Sequence, residues 1–203
     1  MRVLKRKLMI IMISMLIIGI CLYAFGNLSF AEKWQPYQFR GDERYEYKVT
    51  WKQNGEKKEA IYALELKKTD QKTGEGEDIF EVTYINKGTL SREQLESGAF
   101  FGFWSLYGIS LNILMLNPAY SFFFTQMDLK IGEKMNFYGA GTVKVIAKEK
   151  VGGREGFVCQ LFQEDKLLVE WVIDPDLAMP LRSRVFEENK LQSQIELVKY
   201  SKI

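Results

Sequence analysis

From position 45 the chain alternates with a period of two: Tyr45, Tyr47, Val49 and Trp51 share one parity, while Glu46, Lys48 and Thr50 share the other. That is the pattern of a half-buried strand. A Gln53-Asn54-Gly55 turn returns the chain, and further strands are predicted over 60–66 and 79–85, separated by a charged, Gly-containing loop over 69–78. Late in the chain the alternation resumes over 142–147, 156–162, 167–173, 181–186 and 191–200. Gly152-Gly153, Glu164-Asp165-Lys166 and residues 187–190 read as tight turns between these strands, and Asp174-Pro175-Asp176 stops one of them.

Between the two groups of strands the pattern changes. From Glu96 to Asp128 there is no intervening Asp, Glu, Lys or Arg, and the interval is crowded with Phe, Trp and Tyr. Ser91 followed by Gln94 fits a capping box, and Asn117-Pro118 stops a helix, so an apolar helix is predicted within an insertion at about 91–124. Gly98, Gly102, Ser105, Gly108 and Asn112 recur three or four apart and share one face of that helix. Docked by that face, it leaves Phe101, Trp104, Tyr107, Leu111 and Met115 free to line a cavity. The interval admits three uses: a lid over an apolar ligand, a buried core helix, or a membrane span. As a helix the apolar part over 99–116 is roughly 27 Å long, close to the thickness of a bilayer's hydrocarbon layer. A span there divides an otherwise continuous antiparallel sheet between two compartments, which favours one sheet on one side.

The fold class expected is therefore mainly β, of the α+β kind. It is a curved antiparallel sheet or open half-barrel of about eight strands with an inserted apolar helix, preceded by an N-terminal hydrophobic helix. That last element rests on Arg2, Lys5, Arg6 and Lys7 ahead of a nearly unbroken apolar run over 8–25. The arrangement is that of a signal peptide or membrane anchor over 1–31, with an extracytoplasmic β-rich domain over 32–203. Ser29-Phe30-Ala31 offers small residues where a signal peptidase cuts, so the domain is either held at the cytoplasmic membrane or secreted after cleavage behind Ala31. Ile20, before Cys21, stands where a lipobox wants a small residue.

Composition removes several classes of chemistry. The net charge of +2 is nearly balanced and the basic residues are interspersed with acidic ones, so nucleic acid is not an expected partner. Histidine is absent, which takes away the usual neutral-pH base and the commonest transition-metal ligand. Cys159 stands alone in the body of the chain and reads as a small core residue. Thr73-Gly74-Glu75-Gly76 and Gly139-Ala140-Gly141 lack the lysine and following helix of a phosphate loop. Asp174 and Asp176 read as turn residues rather than catalytic carboxylates, and Arg154 and Glu155 as solvated charges at a hairpin tip. No enzyme, cofactor or metal site is expected.

With these strands placed, the segments Gly41-Asp42-Glu43-Arg44-Tyr45-Glu46-Tyr47, Glu170-Trp171-Val172-Ile173-Asp174 and Met179-Pro180-Leu181-Arg182 resemble bacterial envelope proteins of the LolA/LolB-type lipoprotein-carrier superfold. The resemblance spans about 41–200. It implies an open half-barrel that holds acyl chains beneath inserted helices, with Trp104, Tyr107, Leu111, Met115 and Phe122 facing the hydrophobic pocket. The expected function is that of an extracytoplasmic, membrane-associated binding domain for lipid, lipoprotein or another apolar ligand. The ligand-binding residues are Phe101, Trp104, Tyr107, Leu111, Met115 and Phe122. The alternative is an integral membrane interaction protein with a second span at about 99–117.

Overall fold

The alternation read from the sequence becomes a set of long strands. The computed structural model describes residues 32–53, 55–89, 92, 124–137 and 141–203. Their regular elements are β1 (Glu32–Lys33), β2 (Glu43–Gln53), β3 (Glu56–Lys72), β4 (Asp78–Gly88), β5 (Asp128–Leu129), β6 (Lys134–Phe137), β7 (Gly141–Val151), β8 (Arg154–Gln163), β9 (Lys166–Ile173), β10 (Arg182–Glu187) and β11 (Lys190–Lys202). Nine of these form one antiparallel sheet in the order β4-β3-β2-β11-β10-β9-β8-β7-β6, and β1 pairs with β5 in a second, two-stranded sheet.

This corrects the expected fold class. Every regular element among the described residues is a strand, so the α+β description with an inserted apolar helix gives way to an all-antiparallel β architecture with nine strands in its main sheet. The sheet is open, with β4 at one edge and β6 at the other. The interval 93–123, on which the helix and the possible second span were placed, lies outside the described residues, as do residues 1–31. Among the described residues no helix is long and apolar enough to cross a membrane.

All eight strands expected from alternation are present, and the turn chemistry explains their register. Three hairpins close through two central residues that both have positive φ: Gly152 and Gly153 (58° and 81°), Glu164 and Asp165 (49° and 62°), and Glu188 and Asn189 (49° and 61°). This is the type I′ turn, whose twist matches that of the strands it joins. Gly152 is also required sterically, because a Cβ there would stand 2.6 Å from the Leu197 carbonyl oxygen. The β7–β8 hairpin tip thus meets β11, although three strands separate β7 from β11 in the sheet order.

Two apolar clusters fill the interior. One gathers Tyr45, Tyr47, Tyr62, Leu64, Leu66, Ile195 and Leu197 with the β9–β10 connection Leu177, Ala178, Met179 and Leu181. The other surrounds Trp171 with Trp34, Phe124, Met127, Cys159 and Leu161. A bulge between Val145 and Ala147 shifts the parity of β7, so that Val143 and Val145 serve the second cluster whereas Ala147 and Val151 serve the first. Strands β8 and β9 are covered on both faces: Cys159 and Trp171 enter one cluster, Val158 and Val172 the other.

Candidate functional site

Directly paired residues in an antiparallel sheet share a face. Tyr45 pairs with Leu64 and Tyr47 with Tyr62, and on the next strand Leu64 pairs with Tyr84, Leu66 with Val82 and Lys68 with Phe80. The apolar face of the first cluster therefore runs from β2 across β3 onto β4. Burial does not follow it all the way. Leu64 and Leu66 are buried and Phe80 is partly buried against the cluster, but Val82 is 42% exposed and Tyr84 59%. Tyr84 stands with its ring centroid 6.3 Å from that of buried Tyr62. The outcome is an apolar, aromatic face that is closed at β2 and open at β4.

The closed end is fixed by hydrogen bonds. The Tyr47 hydroxyl donates to the Pro180 carbonyl at 2.9 Å, and the Tyr45 hydroxyl donates to Glu43 at 2.8 Å. Burial pushes the hydroxyl pKa values of Tyr45, Tyr47 and Tyr62 up; the Glu43 carboxylate adds to the effect at Tyr45, and neighbouring tyrosines add to it at Tyr47 and Tyr62. The face consequently offers aromatic and aliphatic area with no formal charge among Tyr62, Leu64, Leu66, Val82 and Tyr84. Covering such a surface with apolar matter releases the water against it.

Charge is concentrated around Arg182. Arg182, buried, donates two hydrogen bonds of 2.6 Å to Glu149 and one of 3.3 Å to Glu170, which also accepts from Arg184 at 3.2 Å. The Arg182 guanidinium holds the Glu149 carboxyl below its ordinary pKa. These contacts knit β7, β9 and β10 together, and every charged partner is satisfied by a neighbour of opposite sign.

A groove of about 350 Å³ lies beside the β7–β8 tip, lined by Lys148, Arg154, Glu155, Phe157, Asp174 and Asp176 among others. Here the structure corrects the expectation for Arg154. Its Nε donates to the buried Asp174 carboxylate at 2.6 Å, and its guanidinium lies 5.5 Å from the Tyr200 ring centroid. Asp174 also accepts from the Asp176 backbone N–H at 2.9 Å, so it is the organising residue of the β9–β10 turn. Lys148 is engaged with Glu155 at 3.4 Å and sits over Phe157. Four of the groove's charges, Lys148 with Glu155 and Arg154 with Asp174, are occupied with one another.

The six residues expected from the sequence to bind ligand, Phe101, Trp104, Tyr107, Leu111, Met115 and Phe122, lie outside the described residues. The end of the same uncharged interval is described, and it is core: Phe124 packs edge-on to Trp34 and Trp171, each at 5.4 Å between ring centroids, and Met127 is buried beside them. Trp34 stands outside every alternating segment, and strand periodicity does not single it out. It is fully buried, and its indole N–H donates to the Leu177 carbonyl at 2.6 Å. A lone Trp among polar residues was the available signal. Cys159 is buried, and burial pushes its thiol pKa up, which suppresses the thiolate. Among the described residues no group of three His, Cys, Asp or Glu could hold a metal.

No family model matches the sequence, and no curated protein matches it. Similar solved structures exist, and two of them contain the same pair of proteins. One is MucB in complex with MucA(peri), at 12% identity and a TM-score of 0.35, matched over 80% of this chain and 50% of that one. The other is the MucA/MucB complex of Pseudomonas aeruginosa, at 12% identity and a TM-score of 0.34, matched over 79% of this chain and 51% of that one. This chain thus spans about half the length of the solved chains it matches, and the likeness is a weak one of fold alone.

Proposed function

We propose that the protein is a non-enzymatic extracytoplasmic binding domain, associated with the cytoplasmic membrane, that takes a lipid, a lipidated protein or another apolar ligand on the apolar face of its sheet. The observation that carries this reading is the exposure of Val82 and Tyr84 on the same face as buried Leu64, Leu66 and Tyr62. A sheet with one solvated face normally puts its polar parity outward. Here the other parity of β4 holds Glu81, Thr83 and Lys87, so the apolar parity is left over for something else to cover. Covering it is favourable at about 25 cal/mol per Å² of apolar area before ordering costs.

The address comes from the basic residues ahead of the apolar run over 8–25, which direct the body of the chain to the outer side. Phe101, Trp104, Tyr107, Leu111, Met115 and Phe122 remain the proposed additional contacts of the apolar ligand. The test is native mass spectrometry of the full-length chain released from mild detergent, comparing wild type with Val82→Glu/Tyr84→Glu. Adducts of lipid mass on wild type that are lost in the double variant support the reading. Bare protein in both, or equal adducts in both, rejects the β4 face as the binding surface.

A further inference from the structure

The two edges of the main sheet differ. Strand β6 is four residues long, Lys134–Phe137, which is one of the ordinary ways to blunt an edge. Strand β4 is eleven residues long, contains no proline, and keeps an unbroken register with β3 from Gly88 to Phe80. Val82, Thr83 and Tyr84, in its middle, are exposed, and among the described residues no strand pairs with its outer side.

Its charges are arranged for one particular partner. Near the start of the strand, Asp78 is engaged by Lys68 at 2.7 Å and Lys72 at 3.7 Å. Glu81 and Lys87 are different: neither makes an ion pair with another described residue. Lys67, the cross-strand neighbour of Glu81, feels its charge but is bonded to Glu65 at 3.1 Å, and Lys87 faces Ile61. Glu81 and Lys87 share a face, and Tyr84 lies midway between them. A two-fold axis through Tyr84 therefore sets Glu81 of each copy opposite Lys87 of the other, twice, and brings the two Tyr84 rings together on the apolar face. Thr83 then meets Ile85, and Val82 meets Asn86. An axis on Thr83 sets Glu81 against Ile85, and an axis on Val82 sets it against Thr83 and carries Lys87 past the end of the strand. Only the Tyr84 axis pairs the two unspent charges, and directly opposed charges on neighbouring strands are favourable where like charges are not.

We propose that β4 is a self-association edge, through which two copies of this chain pair antiparallel about Tyr84 and join their sheets into one. The isologous contact is closed by its own symmetry. It leaves the apolar face continuous across both copies, and it does not depend on what that face binds.

The test uses the full-length protein in detergent, with mass measured by sedimentation over a range of protein concentrations. Wild type is expected to dimerise. Glu81→Lys and Lys87→Glu should each raise the dimer dissociation constant by roughly tenfold or more, and the double exchange should restore it. A second measurement fixes the register independently of those variants. In a Cys21→Ser background, Tyr84→Cys should form a disulfide-linked dimer under mild oxidation while Val82→Cys does not. A wild type that stays monomeric throughout overturns the proposal. So does a dimer that ignores both charge reversals, or cross-linking through position 82 in preference to 84.

Discussion

Arg154 shows how much one side chain can hold in place. It begins β8, bonds Asp174 in the β9–β10 turn at 2.6 Å, and lies against Tyr200 on β11. Asp174 is buried, so removing its cation leaves a carboxylate with less compensation than water would give it. Arg154→Met, which keeps the apolar stem, is expected to destabilise the fold by about 1–3 kcal/mol, read from the midpoint shift in urea unfolding. An unchanged midpoint would mean that the contact contributes nothing net. The tyrosines give a second residue-scale prediction. Burial raises the pKa values of Tyr45, Tyr47 and Tyr62 above the ordinary 10.0, so the neutral hydroxyl is the form the fold favours. Their contribution to stability is therefore complete below pH 10 and is lost as the pH rises toward the raised values. Of the ten tyrosines, part should ionise near the ordinary value and part only as the chain unfolds, giving a two-step rise in tyrosinate absorbance. A single step with circular dichroism unchanged would contradict the burial of these three. Neither Arg154 nor Trp34 was legible in the sequence, because each acts through a tertiary partner, twenty residues away in one case and 143 in the other.

At the scale of elements, legibility followed length and turn chemistry. The eight long strands announced themselves by alternation, and the tight turns between β7, β8 and β9 and between β10 and β11 by their Gly, Asp and Asn residues. The short strands β1, β5 and β6, of two, two and four residues, carry too few positions for a period to show. The apolar interval lies outside the described residues except at its end. There, Phe124 and Met127 are buried with Trp34 and Trp171, a tertiary contact that no local spacing announces. The β10–β11 turn supplies the element-scale prediction. Glu188 holds φ at 49° in a type I′ turn, where a long side chain is strained and Asn is well tolerated. Glu188→Asn should stabilise the protein by about 0.5–1 kcal/mol, visible as a raised thermal midpoint. Asn189 is left in place because its side-chain oxygen accepts from the Leu167 backbone N–H. No gain, or a loss, would mean that Glu188 makes a contribution its backbone strain conceals.

For the whole molecule the decisive fact is the seam between the two halves of the sequence. Strand β2 comes before the uncharged interval and β11 after it, yet they pair from Glu43 with Lys202 to Trp51 with Ser193. Both groups of strands belong to one sheet, so they lie in one compartment whatever membrane is near. A single crossing between β4 and β5 would separate β2 from β11 and break the longest seam joining the N-terminal strands to the rest. The integral-membrane alternative with a second span at 99–117 is hard to reconcile with that pairing. Two exposed hairpin positions turn the argument into a measurement. Gly74, in the β3–β4 connection, and Glu188, in the β10–β11 turn, lie on opposite sides of the interval in sequence. In a Cys21→Ser background, with Cys159 protected by burial, Gly74→Cys and Glu188→Cys should react alike with a membrane-impermeant maleimide applied to intact cells. Labelling of both on intact cells supports the proposed extracytoplasmic address. Labelling of neither until the cells are opened keeps the sheet whole but reverses the proposed address. Labelling of one alone would mean that β2 and β11 cannot be partners, and the fold itself would have to be abandoned.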